Sequence, residues 1–468
     1  MESDIVFVSG VDAVTGDYLQ KPLTDQELVS RILREQRDLQ SERELKWWHE
    51  YRSRRTVTRG LPVAIDSSDF SSAGWGVVFL KEAAPEVRIA LAPLLERRRM
   101  QAGELYRELF YRRGESHLDF LSRNGAIPGA VDPEVIPYYL LIVGAPDEIP
   151  LGFQTGLGIR HAVGRLSFCQ LEDYGIYAQS VIANEPGGPP QRKVSIVTAT
   201  PPGDRVSALS ELHFAKPLCE SLIQASSSWE VRLFDKTTKN IMTEIIGGSM
   251  TPGLLFISSQ GVAFPFGDPR RRQLQGAILC QDWPGPGTGP IRPEHYWSAA
   301  DIPPHARLSG LIIVHHGDYS VATPRPFEVG ISDTSARFST KTFLAPLAQR
   351  LLSHPGGGAL SVLGYVGQLW SRTTWRQSEL TTLEATMKSI MAGEAIGHAM
   401  RNTSWRYASL ASELSYELDA IKSEGKDKAT SRRISDLWRA INDAKNILLL
   451  GDPAVRLDLG AIGTTASV

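Results

Sequence analysis

Five short apolar runs constrain the fold of this chain more than any other feature: YYLLIVG (138–144), KVSIVTA (193–199), GLLFISS (253–259), GLIIVHH (310–316) and GALSVLG (358–364). Each is rich in Val, Ile and Leu, the pattern of a strand covered on both faces. Helical segments such as 205–225 and 340–353 alternate with them. That alternation predicts a mainly parallel sheet in a three-layer α/β sandwich, whose ligands lie beyond the carboxyl ends of the strands.

Ahead of these runs, Thr24 to Glu27 reads T-x-x-E, a capping-box signature, and Leu28, Ile32 and Leu39 follow at near-helical spacing before Trp47 and Trp48. This predicts an N-terminal helical arm over 1–60. After a basic turn around Arg54 and Arg59, AGWGVVFL (73–80) reads as a strand and 86–111 as a helix with a break. Together they make a small α/β extension over 61–129. The main domain runs from 130 to 460, with a helical part over 377–446 that breaks at KSEGKDK (422–428), and 461–468 reads as a frayed tail.

With 50 Lys and Arg against 52 Asp and Glu, no overall field points to nucleic acid or an anionic membrane. The runs Arg97-Arg98-Arg99 and Arg270-Arg271-Arg272 read as solvated faces. The first residues, MESDIVFVSG, lack the basic and apolar regions of a secretory signal, and no stretch reaches membrane-spanning length. The expected location is therefore cytoplasmic. Cys169, Cys219 and Cys280 show no CxxC spacing, so they read as reduced thiols, with neither a metal nor a cofactor implied.

Two strand ends carry the chemistry-bearing residues: FISSQGVAFPFGDPRRR (256–272) and VHHGDYSVATP (314–324). Between them, the Pro/Gly-rich CQDWPGPGTGPIRPEHYW (280–297) reads as an ordered surface loop. In this order, YYLLIVGAPDEIP, VGRLSF, LLFISSQGVAFPFGDPR, QGAILCQDWPGP, YWSAADI, GLIIVHHGDYSVATP, HPGGGALSVLGYV and LLLGDPAVRL resemble segments of the gingipain-type cysteine peptidases, particularly their intracellular bacterial relatives. VSGVDAVTGDYLQKPLT and AGWGVVF look like the leading region of those relatives. The resemblance implies a caspase-like fold. It also implies a histidine in a Ser-His-Gly turn after one strand and a nucleophilic cysteine in an Ala-Cys turn after the next.

Here those turns read Ser259-Gln260-Gly261 and Gly317-Asp318-Tyr319, so both catalytic positions are substituted. A glutamine amide does not shuttle protons near neutral pH. A carboxylate attacks amides poorly, and its charge opposes an oxyanion formed at the backbone N–H groups that the resemblance places at Gly261 and Asp318. An Asp318 carboxylate accepting from the Gln260 amide would fill the space of the lost thiolate–imidazolium pair.

Other residues compete for the role. His316 and Asp318 share a face if the backbone stays extended, as a His–Asp pair or two metal ligands, yet a strand-end histidine is more often simply hydrogen-bonded. His315 faces the opposite way and reads as a packed histidine. Cys280 is the thiol nearest the turn in sequence and reads as packing, with His295 or His316 as a base if it were reactive. Asp268, Arg270, Asp282 and Trp283 read as loop anchors, and Trp370 and Trp375 as core rather than groove. The expected function is a pseudo-peptidase that holds a peptide or protein partner, an active relative among the candidates. The alternative is an active cysteine-type endopeptidase with a rearranged dyad.

Overall fold

The computed structural model describes residues 5–39, 60–127, 130–184, 192–324, 341–370, 377–424 and 428–459. Trp47, Trp48, Arg54, Arg59, Trp375, the centre of the charged break at 425–427 and the tail at 461–468 lie outside the described residues.

Ten strands form one sheet: β1 Trp75–Leu80, β2 Tyr106–Tyr111, β3 Tyr139–Val143, β4 Ala162–Leu166, β5 Lys193–Thr198, β6 Glu230–Phe234, β7 Leu254–Ser258, β8 Ile312–His316, β9 Ser361–Tyr365 and β10 Ile447–Gly451. Their spatial order is β2-β1-β3-β4-β10-β9-β8-β7-β5-β6. Every neighbouring pair is parallel except β9 and β10, which run antiparallel from Ser361 opposite Gly451 to Tyr365 opposite Ile447. The sheet is thus two parallel halves of opposite direction joined at one seam. Helices cover both faces: Trp75, Val77 and Phe79 of β1 enter one core, and Val78 and Leu80 enter another with Phe120 and Phe153. This is the α/β architecture that the apolar runs predict.

The five runs become β3, β5, β7, β8 and β9. The small 61–129 segment adds β1 and β2 to the edge of the same sheet. Residues 106–111 correct the reading of 86–111 as a helix with a break, since the stretch after the break is a strand. The helix Ala92–Ala102 stops at Gly103, which takes φ +55°, and YRELFY then pairs with β1, as its aromatic content favours.

The N-terminal arm docks through a helix, α1 (Asp25–Leu39), whose capping box forms: Thr24 N–H donates to Glu27 Oε2 at 2.7 Å, and Glu27 N–H to Thr24 Oγ1 at 3.2 Å. Leu28, Val29 and Ile32 pack with Ile434, Leu437 and Trp438 of the helix Lys428–Lys445. Trp370 meets Trp438 edge-on at 4.8 Å in this core, as expected of it. Among the described residues, no helix is long and apolar enough to cross a membrane.

At the end of β10, Asp452 is wholly buried and takes Arg98 Nε at 2.7 Å, Trp75 Nε1 at 3.0 Å and Ala454 N–H at 3.1 Å. Arg98 is therefore not part of a solvated face: the middle residue of Arg97-Arg98-Arg99 turns inward on its helix and finds a carboxylate. Removing one partner of such a pair strands the other charge in the core. Asp452→Ala is expected to lower stability by about 3 to 5 kcal/mol, read as a shift of the urea midpoint. A loss under about 1 kcal/mol, the scale of a solvated ion pair, would refute the assignment.

Candidate functional site

Strands β5, β7, β8 and β9 end side by side at one edge. The chain lays β5 and β6 outward, then returns to place β7 on the other side of β5. That reversal opens a crevice between the ends of β5 and β7, the usual place for a site in such sheets. Gln260 follows β7, Asp318 follows β8, and both are buried, at 1% and 0% exposure.

The Gln260 amide spans the crevice. Its Nε2 donates to Asp204 Oδ1 at 2.9 Å and Oδ2 at 2.8 Å, while its Oε1 accepts from the Gly10 N–H at 2.9 Å. Asp204 sits just beyond β5 at the start of the helix Arg205–Ser210. It also accepts from the Tyr18 hydroxyl at 2.8 Å and from Ser207 N–H at 3.3 Å. Burial first, then the Asp204 carboxylate, pushes the Tyr18 hydroxyl well above the usual phenol range.

The Asp318 carboxylate is held separately. Oδ1 accepts from the Ser9 hydroxyl and from Leu369 N–H at 2.9 Å, and Oδ2 accepts from Gly261 N–H at 3.2 Å. The expected bond from Gln260 to Asp318 is therefore corrected. Gln260 Nε2 donates instead to both oxygens of Asp204, a carboxylate 56 residues earlier in the chain. Gly261 N–H, expected to face an oxyanion, faces the Asp318 side chain.

Close approach fixes the residue types around this pair. A Cβ at Gly261 would lie 2.0 Å from the Asp318 carbonyl oxygen. Gly10, at φ +98°, leaves only 2.7 Å between a Cβ and Leu19 Cδ1. Tyr319 takes φ +55°, a left-handed conformation that costs of order 1 kcal/mol in a non-glycine residue. Its N–H donates to the Gly367 carbonyl at 2.7 Å, which holds the turn.

The other candidates lie elsewhere. Strand β8 ends at His316, so the extended spacing that would align His316 with Asp318 does not continue. The His316 ring instead stacks on Phe214 at 5.1 Å and meets Tyr365 edge-on at 5.0 Å. Cys280 is fully buried, its thiol directed at the Ile278 carbonyl at 3.6 Å. Burial pushes that thiol far above the ordinary range, which removes the thiolate that nucleophilic attack requires. His295 Nδ1 accepts from Arg292 N–H at 3.1 Å. Asp268 pairs with Arg270 at 2.7 Å, and Asp282 accepts from Lys239 N–H at 2.7 Å. Among the described residues, no three His, Cys, Asp or Glu side chains are placed to hold a metal ion.

Ser9, Gly10, Tyr18 and Asp204 complete the site, and sequence reading does not find them. The segment VSGVDAVTGDYL has no spacing that marks a ligand, and Asp204 looks like an ordinary helix cap.

No family model matches the chain, and no curated protein does. Among solved structures, it is similar to the complex of the pro- and mature domains of RgpB from Porphyromonas gingivalis, at 10% identity over 82% of this chain and 80% of that one, with TM-score 0.46. It is also similar to the Arg-specific cysteine proteinase gingipain R (RgpB), at 12% identity over 85% and 80%, with TM-score 0.48. Likenesses of that size leave the chemistry to the side chains themselves.

The site has a pH signature. A hydroxyl whose folded ionisation lies above its unfolded one contributes fully below the unfolded value of about 10 and loses that contribution as pH rises beyond it. Tyr18→Phe is accordingly expected to fall less steeply in urea midpoint than the parent as pH rises above about 10. Parallel curves would show that the Tyr18–Asp204 bond does not couple to folding.

Proposed function

We propose that this chain is a catalytically inactive relative of the gingipain- and caspase-type cysteine peptidases, retained to hold a peptide or protein partner. Gln260 stands in this reading at the place of the family histidine and Asp318 at that of the cysteine. The observation that carries it is that three donors, from Ser9, Leu369 and Gly261, already hold the Asp318 carboxylate. A reactive centre needs a nucleophile, a proton carrier and donors kept ready for developing charge.

Each requirement fails on a particular atom. Asp318 would have to break its hydrogen bonds and form a mixed anhydride. Gln260 has no proton to exchange near neutral pH. The Gly261 N–H that would steady an oxyanion already serves an anion. Cys280, the alternative nucleophile, is held as a neutral thiol in the core.

The test is incubation of the purified protein with a proteome-derived peptide library, read by mass spectrometry, beside Asp318→Asn and Cys280→Ala. No cleavage above buffer is expected from any of the three. Cleavage by the parent that disappears in either variant would overturn the proposal and identify a rearranged nucleophile.

A further inference from the structure

A recess of about 380 Å³, partly open to solvent, lies away from the Gln260 and Asp318 edge. A cavity of about 150 Å³ accepts a benzene molecule, and small-molecule sites begin at about 300 Å³. The recess therefore has room for a two-ring ligand. Leu360, which lines it, precedes β9, whereas Leu369, whose N–H reaches Asp318, follows that strand. The recess and the candidate site thus sit at opposite ends of β9.

Its walls come from both halves of the sheet. The helices Ala92–Ala102 and Leu171–Asn184 supply Arg97 and Asn184, while Leu360 enters from the start of β9. The chain beyond β10 supplies residues 455–459, held in place by Ile396 N–H on the Val455 carbonyl at 2.9 Å.

The lining divides by polarity. Val181, Leu360, Val455 and Leu457 are buried and give the recess an apolar floor. Its charged members reach solvent: Arg456 is exposed, and Arg97 and Asp458 are partly so. Arg456 lays its guanidinium 5.1 Å over the Phe70 ring and makes a long hydrogen bond to the Ser68 carbonyl at 3.4 Å. The neighbouring Asp66 carboxylate is engaged in its own turn, by the N–H and the hydroxyl of Ser68 at 2.8 Å each. Two guanidiniums thus share the lining with one carboxylate, and Arg192, which donates to the Leu459 carbonyl at 3.0 Å, adds a third cation at the same wall.

We propose that this recess binds a small organic acid, with its apolar body on the floor of Val181, Leu360, Val455 and Leu457 and its carboxylate at the mouth beside Arg456 and Arg97. The body gains by leaving water. The carboxylate meets guanidinium donors whose planar fork matches its two oxygens, and at the mouth it avoids the cost of full desolvation. A neutral ligand of the same shape would leave the surplus positive charge unanswered. The inference is independent of whether the Asp318 edge is inert, because the two places share no residue.

The probes are 2-naphthoate and its neutral isostere 2-naphthamide, titrated into the full-length protein by calorimetry. Naphthoate is expected to bind one to one and roughly 10-fold more tightly than the amide, since two partly exposed guanidiniums each contribute a factor of about 2 to 5. Arg456→Gln, a change at an exposed position, is expected to weaken naphthoate about 2- to 5-fold and to leave the amide unchanged. Asn184→Trp, which fills the recess from its wall, is expected to abolish binding of both. No binding of naphthoate, equal binding of acid and amide, or full naphthoate affinity in Arg456→Gln would overturn the site. So would undiminished binding in an Asn184→Trp protein that melts with the parent, since the ligand would then lie elsewhere.

Discussion

A carboxylate without access to water must find its donors inside the protein, and at Asp318 that requirement organises the whole edge of the sheet. Its oxygens bind three stretches of chain: the N-terminal segment at Ser9, the turn after β7 at Gly261 and the loop after β9 at Leu369. Ser9 is tied in turn to the β9 loop, with its N–H on the Leu369 carbonyl at 3.2 Å and its own carbonyl accepting from Gln368 Nε2 at 3.0 Å. The N-terminal segment is thereby a structural part of the site. It continues at Val11 and Asp12 as a strand paired with Val262 and Ala263.

The companion amide has its orientation decided by the same logic. Gln260 points Nε2 at Asp204 and Oε1 at the Gly10 N–H. Turned over, its oxygen would oppose a carboxylate and its NH2 group would oppose a backbone donor. Both contacts would become repulsive, so a single arrangement satisfies the pair. A neutral group with a donor end and an acceptor end thus ties the Asp204 carboxylate to the Gly10 backbone, while Asp318 is held by its own donors.

The sheet was largely legible because parallel strands covered on both faces must be apolar throughout, and the runs that became β3, β5, β7, β8 and β9 are. Strand β2 was not, since the edge sequence YRELFY carries charges that suit a helix equally well. The direction of β10 was invisible too, because ILLLG reads the same in either orientation. At the site, the turns holding Gln260 and Asp318 stood out as strand ends. Their partners did not, because Ser9 lies 309 residues from Asp318 and Gly10 lies 250 from Gln260. Without Asp204 in view, the nearest acceptor for the Gln260 amide appeared to be Asp318, and the pairing was misassigned.

The arginine triplets show why charge runs are the least readable feature. In each, neighbouring residues on one helical turn point in different directions, so the middle residue can enter the core while its neighbours stay outside. Arg98 does so to meet Asp452, and burial there is compensated within the chain. Arg271 does so among Phe343, Gln275 and Tyr319, without a compensating carboxylate among the described residues. Selection for stability alone would favour an apolar side chain at such a position. Which way the middle residue turns is decided by what its helix packs against, a partner that the charge run itself does not name, and the two triplets bury their cations against different surroundings.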